Sequence, residues 1–325
     1  MERLLQEAET ALAPFLISDP ADESPQTLRD RMRRDGYLFF RGLISAPQIR
    51  QTRAEILEAC SAEGWLQQGS EPGEGIAATG IARTEPEPAY MDVYDRVLRG
   101  EAFNTLAHDP GLLSVLRMLF QEEPLPHARN IARIIFPQNT LHTTPAHQDY
   151  LHIQGTEETY TAWIPLGDCP RALGSLIVMP GSHRAGVCSV HRAYGAGGVG
   201  IDTDALPYQW TGSDFVAGDV VLFHSLTVHK ALPNLSPDRL RLSVDFRYQP
   251  LSHPVAASSL KPHYDRQTWE EIYTDWTDVK HQFYWRDMPI RFAGTDDPRV
   301  LAVRKAASEA PQAPPTKTDI EEIMK

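Results

Sequence analysis

The stretch from residue 129 to residue 249 constrains the fold more than any other part of the sequence. Its segments are short, rich in Val, Ile, Leu, Phe and Tyr, and separated by Gly, Pro, Asn and Asp. Short apolar segments divided by turn residues are typical of an antiparallel β-sandwich or jelly roll. We therefore expect strands near 129–136, 145–154, 158–166, 174–179, 219–224, 226–232 and 239–249.

Helical patterns lie on both sides of this β-rich stretch. Apolar residues recur there every three or four positions, and helix-starting pairs such as Ser24-Pro25 precede them. We expect helices over 4–15, 25–35, 89–107 and 111–121, and a short strand at 37–40 after the second of them. Another helix should run from Ser45, which has capping-box spacing with Gln48, to about Cys60. A last helix should carry Trp269, Ile272, Tyr273 and Trp276 on a single face. We interpret the chain as one mainly β domain over 1–325, with a core at about 127–250, helical flanks at 1–126 and 251–305, and a flexible tail at 306–325.

Composition argues against several classes of protein. The 325 residues are 42% hydrophobic and 23% charged, which is typical of a globular chain. The net charge of −12 disfavours nucleic acid or an anionic membrane as a partner, because both need a basic face. Three cysteines without CxxC spacing fit neither a disulfide framework nor a zinc site. With no secretory signal and no apolar run near ~20 residues, we expect a cytoplasmic protein.

The tripeptide His147-Gln148-Asp149 is the first candidate site. Residues two apart on a strand face the same side, so His147 and Asp149 can present an imidazole and a carboxylate to one point. A third ligand must come from another strand, and His229 is the best candidate. Two histidines and a carboxylate form the facial triad of non-haem Fe(II) oxygenases. The alternative, for the tripeptide alone, is a structural His–Asp hydrogen bond between strands.

The last predicted strand alternates strictly between polar and apolar residues. Its polar face faces either solvent or the interior of the barrel. In the interior, an Arg-x-Ser pair could bind a dicarboxylic keto acid, with two hydrogen bonds from the guanidinium and a third from the hydroxyl. The polar face carries Arg239, Arg241, Ser243, Asp245 and Arg247, and the apolar face carries Leu240, Leu242, Val244 and Phe246.

A long glycine-rich segment, 184–213, interrupts the strands. Loops of this length in a compact domain are usually functional or disordered. The segment is either a lid that closes over substrate or a solvated insertion.

Residues 129–249 resemble the phytanoyl-CoA dioxygenase family of Fe(II)/2-oxoglutarate-dependent oxygenases. The matching pieces occur in family order, and the strand Tyr37-Leu-Phe-Phe40 resembles the first strand of the family. They are His147-Gln-Asp149, Thr161-Ala-Trp-Ile-Pro-Leu-Gly-Asp168, Gly174-Ser-Leu-Ile-Val-Met-Pro-Gly-Ser-His183, Gly218-Asp-Val-Val-Leu-Phe223, His229, Asn234 and the arginine-bearing strand.

The resemblance implies a double-stranded β-helix, the cupin-like jelly roll, with Fe(II) held by His147, Asp149 and His229. It implies 2-oxoglutarate as co-substrate, with its distal carboxylate on Arg241 beside Ser243. Arg239 is the alternative anchor. Trp163 matches a tryptophan that contacts the co-substrate, although a core aromatic is an equal interpretation. Relatives often carry a serine two residues after the distal histidine, where this chain has Ala231.

The implied reaction hydroxylates a small organic molecule while O2 and 2-oxoglutarate become succinate and CO2. The same iron site could instead catalyse desaturation, epoxidation or ring formation in natural-product biosynthesis. Two other classes remain open, namely a non-catalytic β-helix binding protein and a mononuclear zinc hydrolase. The substrate and the oligomeric state do not follow from the sequence.

Overall fold

A six-stranded antiparallel sheet is the main layer of the computed structural model, which describes residues 12–139, 143–193, 195, 197–294 and 296–309. The strands are β1 (Tyr37–Phe40), β2 (Pro124–Pro126), β3 (Ile131–Ile135), β4 (Tyr160–Pro165), β5 (Leu176–Val178), β6 (His191–Arg192), β7 (Val199–Gly200), β8 (Val220–His224), β9 (His229–Ala231) and β10 (Arg241–Pro250). The order in the main sheet is β1-β8-β4-β10-β2, and β3 also pairs with β10.

A second, smaller layer is built around the antiparallel pair of β5 and β9. Isolated bridges between His147 and His229 and between Val178 and Thr211 extend this layer. Two antiparallel layers of short strands are the arrangement expected of a jelly roll.

Most of the α-helices in the described residues contribute to the largest hydrophobic cluster, on the outer side of the main sheet. The α-helices are α1 (Pro25–Asp35), α2 (Ala46–Ala62), α3 (Pro88–Leu98), α4 (Glu101–Thr105), α5 (Pro110–Phe120), α6 (Tyr150–Ile153), α7 (Trp269–Ile272) and α8 (Pro298–Glu309). Helix α1 has its predicted caps, because the Ser24 hydroxyl accepts from the Thr27 amide and Gly36 ends the helix at a φ of 74°. A Cβ at Gly36 would lie 2.3 Å from His183 Nδ1, so the close approach also requires glycine.

The apolar face of β10 belongs to the largest hydrophobic cluster. Leu242, Val244 and Phe246 pack there with residues of α2, α3 and α5. Burying one such side chain contributes about 1.5–3 kcal/mol. Because this face is committed to the helices, the polar face of β10 points to the space between the two sheets, where Arg241 and Ser243 are buried.

The structure corrects the predicted strand over 145–154. Asp149 has helical dihedral angles, φ −60° and ψ −33°, and α6 follows it directly. Only His147 makes a strand-like bridge, to His229. The Tyr150 amide donates to the Ser225 carbonyl, so tertiary hydrogen bonding turns the chain away from the extended path.

Three predicted helices also differ. The helix expected over 89–107 breaks because the Asn104 side chain donates to the carbonyls of Leu98 and Gly100. Ser45 and Gln48 form no capping box, since the hydroxyl donates to the glutamine side chain at 2.5 Å. Helix α7 ends at Ile272, so Tyr273 and Trp276 follow it.

The predictions for the two ends of the chain fall partly outside the described residues. Most of the helix expected over 4–15 lies outside the described residues, and Leu12 and Phe15 are not helical. Helix α8 runs four residues into the predicted tail, and 310–325 also lie outside the described residues.

Candidate metal centre

The backbone pairing of His147 with His229 builds the base of the site. Each amide donates to the carbonyl of the other residue at 3.0 Å. This two-way bond places the imidazole ring centroids 4.2 Å apart. His147 and His229, which are 82 residues apart in the sequence, are therefore direct neighbours in the second, smaller layer.

The ligand atoms of three residues converge on one point. Asp149 Oδ1 lies 3.7 Å from His147 Nε2 and 3.9 Å from His229 Nε2. One ligand atom from each of the three lies within 4.8 Å of the others. The two histidines and the aspartate predicted from the sequence are thus brought together.

Hydrogen bonds fix which ring nitrogen of each histidine faces this point. His147 Nδ1 lies 2.8 Å from the Pro145 carbonyl oxygen, and His229 Nδ1 lies 2.9 Å from the Thr227 carbonyl oxygen. A carbonyl only accepts, so both Nδ1 atoms carry the proton and both Nε2 lone pairs remain available. Burial lowers the pKa of His229 to about 3, which keeps this ring neutral. The donor set fits a divalent transition metal such as iron.

Asp149 is held in place by two neighbours. The Thr161 hydroxyl donates to Oδ2 at 2.5 Å, and Arg247 donates to both carboxylate oxygens at 3.1 and 3.2 Å. Burial would raise the pKa of Asp149, but the Arg247 guanidinium opposes this most strongly, and the pKa is held well below its usual range. The carboxylate is therefore ionised and oriented before any metal binds.

Arg241 lies in a small inner cavity beside the three ligands. Its side chain is buried, Nη1 donates to the Ser243 hydroxyl at 2.5 Å, and Nε has no hydrogen-bond partner among the described residues. The cavity measures about 30 Å³ and is also lined by Trp163 and Ala231. A buried guanidinium with an unsatisfied N–H is suited to an anionic ligand.

The other residues of the predicted co-substrate site differ in burial and in distance from the inner cavity. Arg239 precedes β10, is exposed and bridges to Ile76, away from the inner cavity. Ser243 is fully buried, and its observed contact is to the Arg241 guanidinium. Trp163 lines the inner cavity, as a residue that contacts the co-substrate would. It also packs edge-on against Phe215, with ring centroids 4.8 Å apart, as a core aromatic would.

A larger outer cavity of about 290 Å³ opens on the other side of the triad. It shares five lining residues with the inner cavity, namely Arg133, Thr144, His147, Asp149 and Arg247. Its remaining wall is mostly polar, with His127, Arg129, His152, Ser259 and His263, and also includes Ile131 and Ile153.

The comparisons with known proteins decide the family. The family model described as "Phytanoyl-CoA dioxygenase (PhyH)" matches residues 32–242. That match spans more than half of the chain. The chain belongs to this family.

Curated relatives and solved structures agree with this membership. The 1-deoxypentalenic acid 11-beta-hydroxylase of Streptomyces arenae is 29% identical over 271 residues, covering 76% of this chain and 90% of the relative. The corresponding hydroxylase of Streptomyces exfoliatus is 28% identical over 264 residues, with the same coverage.

Two solved structures share the fold. The epimerase SnoN, in complex with Fe3+, alpha ketoglutarate and nogalamycin RO, has a TM-score of 0.52 at 21% identity, covering 86% of this chain and 98% of that structure. The alpha ketoglutarate-dependent carbocyclase SnoK from nogalamycin biosynthesis has a TM-score of 0.51 at 21% identity, covering 74% and 89%. The predicted family, the cupin-like jelly roll and the dioxygenase class are confirmed.

Sequence reasoning missed two residues that support the site and misplaced a third. Arg247 was on the correct face of the alternating strand, and that alternation was the signal that could have identified it. Thr161 lay in a family motif without an assigned role. In the predicted strand over 145–154, parity would point His152 away from His147, but the turn into α6 brings the two ring centroids to 6.1 Å.

Within the described residues, no helix combines the length and the apolar character needed to cross a membrane. The three cysteines, Cys60, Cys169 and Cys188, are free and buried.

Proposed function

We propose that this member of the phytanoyl-CoA dioxygenase family hydroxylates a small organic molecule at an iron held by His147, Asp149 and His229. The observation that carries the proposal is the convergence of two Nε2 lone pairs and one carboxylate oxygen beside two cavities. Bound Fe(II) supplies the activation of O2 that is coupled to oxidative decarboxylation of 2-oxoglutarate to succinate and CO2. Three protein ligands leave open positions for this chemistry.

Each residue of the site has a separate task in this proposal. Arg241 binds the distal carboxylate of 2-oxoglutarate in the inner cavity, and Ser243 orients the guanidinium. The inner cavity, at about 30 Å³, has room for about two water molecules, so binding of a five-carbon acid would widen it. Trp163 and Ala231 present apolar surface to the co-substrate.

The outer cavity holds the substrate in this proposal. At about 290 Å³ it is close to the lower end of the range for small-molecule sites. The curated relatives are named as hydroxylases of a small organic acid, which supports hydroxylation. Desaturation, epoxidation or ring formation at the same iron would leave the same residues in place, and the mass of the product separates them from hydroxylation.

We also propose that the described chain forms one domain and that the protein is cytoplasmic. The largest hydrophobic cluster joins residues from Leu28 to Trp285, which supports a single folding unit. Three free thiols support a reducing compartment.

Succinate formation tests the function directly. The enzyme, reconstituted with Fe(II) without oxygen and then exposed to O2, should form succinate from 2-oxoglutarate only when iron is present. His147→Ala, Asp149→Ala and His229→Ala should abolish this activity, whereas His281→Ala, a half-buried histidine away from the site, should retain it. Succinate formation that is independent of iron, or full activity in a triad variant, would contradict the proposal.

A further inference from the structure

The charges that line the outer cavity do not balance. Three guanidinium groups meet two carboxylates there. Glu85 is bound by Arg133 at 2.6 Å, and Asp149 is bound by Arg247 at 3.1 Å. Arg133 Nε also lies 3.5 Å from Asp245, which lines the inner cavity. Among the described residues, Arg129 has no carboxylate partner within salt-bridge distance. Among the described guanidinium groups of this cavity, Arg129 is therefore the one without a carboxylate partner, in a chain of net charge −12.

Arg129 lies between β2 and β3 and is half-buried. Its observed side-chain contact runs from Nε to the Lys261 carbonyl at 3.5 Å, the outer limit for a hydrogen bond. Burial and the nearby Arg247 lower the pKa of Arg129, and Asp265 and Tyr94 offset this only in part. Such a group is costly to bury, and a bound anion offsets that cost.

Two further hydrogen-bond donors lie on the same wall. The Ser259 side chain is buried, and its hydroxyl makes no hydrogen bond among the described residues; its carbonyl accepts from the Arg129 amide at 3.0 Å. Tyr94 OH accepts from the Ala132 amide at 3.4 Å and lies 2.7 Å from His263 Nδ1. The tyrosine therefore donates to Nδ1, and the neutral histidine carries its proton on Nε2.

We propose that the substrate is a small monocarboxylic acid whose carboxylate binds Arg129, with the Ser259 hydroxyl and His263 Nε2–H as additional donors. This inference rests on the proposed function, because it takes the outer cavity as the substrate site. The unreacting end of the molecule is thereby anchored on the β2–β3 side, and the carbon to be oxidised is directed to the triad. Both ends of the cavity are then used, one for recognition and one for chemistry.

A carboxylate fits these observations better than a coenzyme A thioester. One unmatched guanidinium calls for one negative charge, whereas the thioester brings several phosphate charges. A cavity of about 290 Å³ also suits a small molecule rather than a nucleotide conjugate. The curated relatives are named for an acid, 1-deoxypentalenic acid, which agrees with this class.

Calorimetric binding without oxygen tests the inference independently of turnover. The probes are a panel of small monocarboxylic acids, 1-deoxypentalenic acid among them, each with its methyl ester and its coenzyme A thioester. The holoenzyme with Fe(II) and 2-oxoglutarate should bind at least one acid roughly tenfold or more tightly than either derivative. Arg129→Gln should weaken binding of that acid on the order of 30-fold and leave binding of the ester unchanged. Arg129→Lys should recover part of the loss.

Several outcomes would overturn the inference. They are an absence of binding by every acid, equal binding of acid and ester, a preference for the thioester, and an Arg129→Gln variant with wild-type affinity for the acid. The affinity for 2-oxoglutarate should not change in Arg129→Gln, which checks that the variant is folded. If the acid binds as expected but no iron-dependent succinate forms, the proposed function fails and the carboxylate site stands. If succinate forms but Arg129→Gln binds the acid as tightly as the wild type does, only the proposed carboxylate site is wrong.

Discussion

Arg247 binds both carboxylate oxygens of Asp149, from Nη2 to Oδ1 at 3.1 Å and from Nε to Oδ2 at 3.2 Å. Oδ1 is also the oxygen nearest both histidines, so the arginine fixes the direction in which the third ligand points. Partners of metal ligands commonly affect metal affinity by about 10- to 100-fold.

We therefore expect Arg247→Gln to weaken Fe(II) binding by about 10- to 100-fold, because the carboxylate loses both its orientation and its neighbouring charge. Competition with a chelator of known affinity measures the change. Arg117→Gln is the matched control, since Arg117 makes the same two-oxygen contact with Glu123 at 2.8 and 2.7 Å on the surface. Equal iron affinity in the two variants would show that Arg247 has only a structural role.

Arg241 should determine the affinity for 2-oxoglutarate. Removing one partner of a buried, hydrogen-bonded charge pair costs about 2–5 kcal/mol, so Arg241→Gln should weaken binding on the order of 30-fold or more. Arg239→Gln is the control, because Arg239 is exposed outside the strand. Titration of 2-oxoglutarate against the iron-loaded protein without oxygen gives both affinities. A larger loss in the Arg239 variant would move the anchor to that residue.

The alternating strand was the most informative part of the sequence. It predicted that Arg241, Ser243 and Arg247 share a face, and these three side chains are buried on the inner side of β10. The sequence could not separate Arg241 from Arg239, because the difference depends on where pairing starts. β10 begins at Arg241, and Arg239, two residues before it, makes a separate bridge to Ile76.

The tripeptide His147-Gln148-Asp149 shows where prediction from local sequence patterns ends. Strand parity predicted that His147 and Asp149 face one point, and their side chains do converge, although Asp149 is not in a strand. The pairing of His147 with His229 and the contacts of Arg247 bring the carboxylate to the histidines. These are contacts between residues about 80 to 100 positions apart in sequence, so no local pattern could reveal them.

Gln148 ties the segment 184–213 to the metal-binding region. Its amide nitrogen donates to the carbonyls of Gly186 and Leu226 at 2.8 and 2.7 Å, and its oxygen accepts from the Cys188 amide at 2.9 Å. Gln148→Leu leaves these groups unpaired, at a cost of about 1–3 kcal/mol for each one that stays buried. We expect limited proteolysis to cut 184–213 faster in this variant than in Gln67→Leu, an exposed control. Equal cleavage rates would show that the segment is held by other contacts.

Buried neutral histidines should make the fold sensitive to acid. Burial lowers the pKa of His127 to about 4, below the ~6.5 of an unfolded histidine, and its ring bonds Gln249 at 2.9 Å. The unfolded chain therefore binds more protons between these values. Stability from this group is complete above pH ~6.5 and falls as the pH drops towards 4, by up to about 1.4 kcal/mol per pH unit.

Urea unfolding at several pH values checks this prediction. The difference in free energy of unfolding between the wild type and His127→Asn should shrink as the pH falls from about 7 to 4.5, because asparagine does not titrate. His191→Asn, at an exposed position, should show a constant difference. A constant difference for His127→Asn as well would rule out this histidine as a source of acid sensitivity.

The iron content of the three ligand variants tests the central claim most directly. Equilibrium titration with Fe(II) in the absence of oxygen should give one iron per wild-type chain, and His281→Ala should match it. His147→Ala, Asp149→Ala and His229→Ala should each lose most of this binding, because two remaining ligands cannot hold the metal firmly. Wild-type stoichiometry and affinity in any one of the three would contradict the assignment of the metal centre.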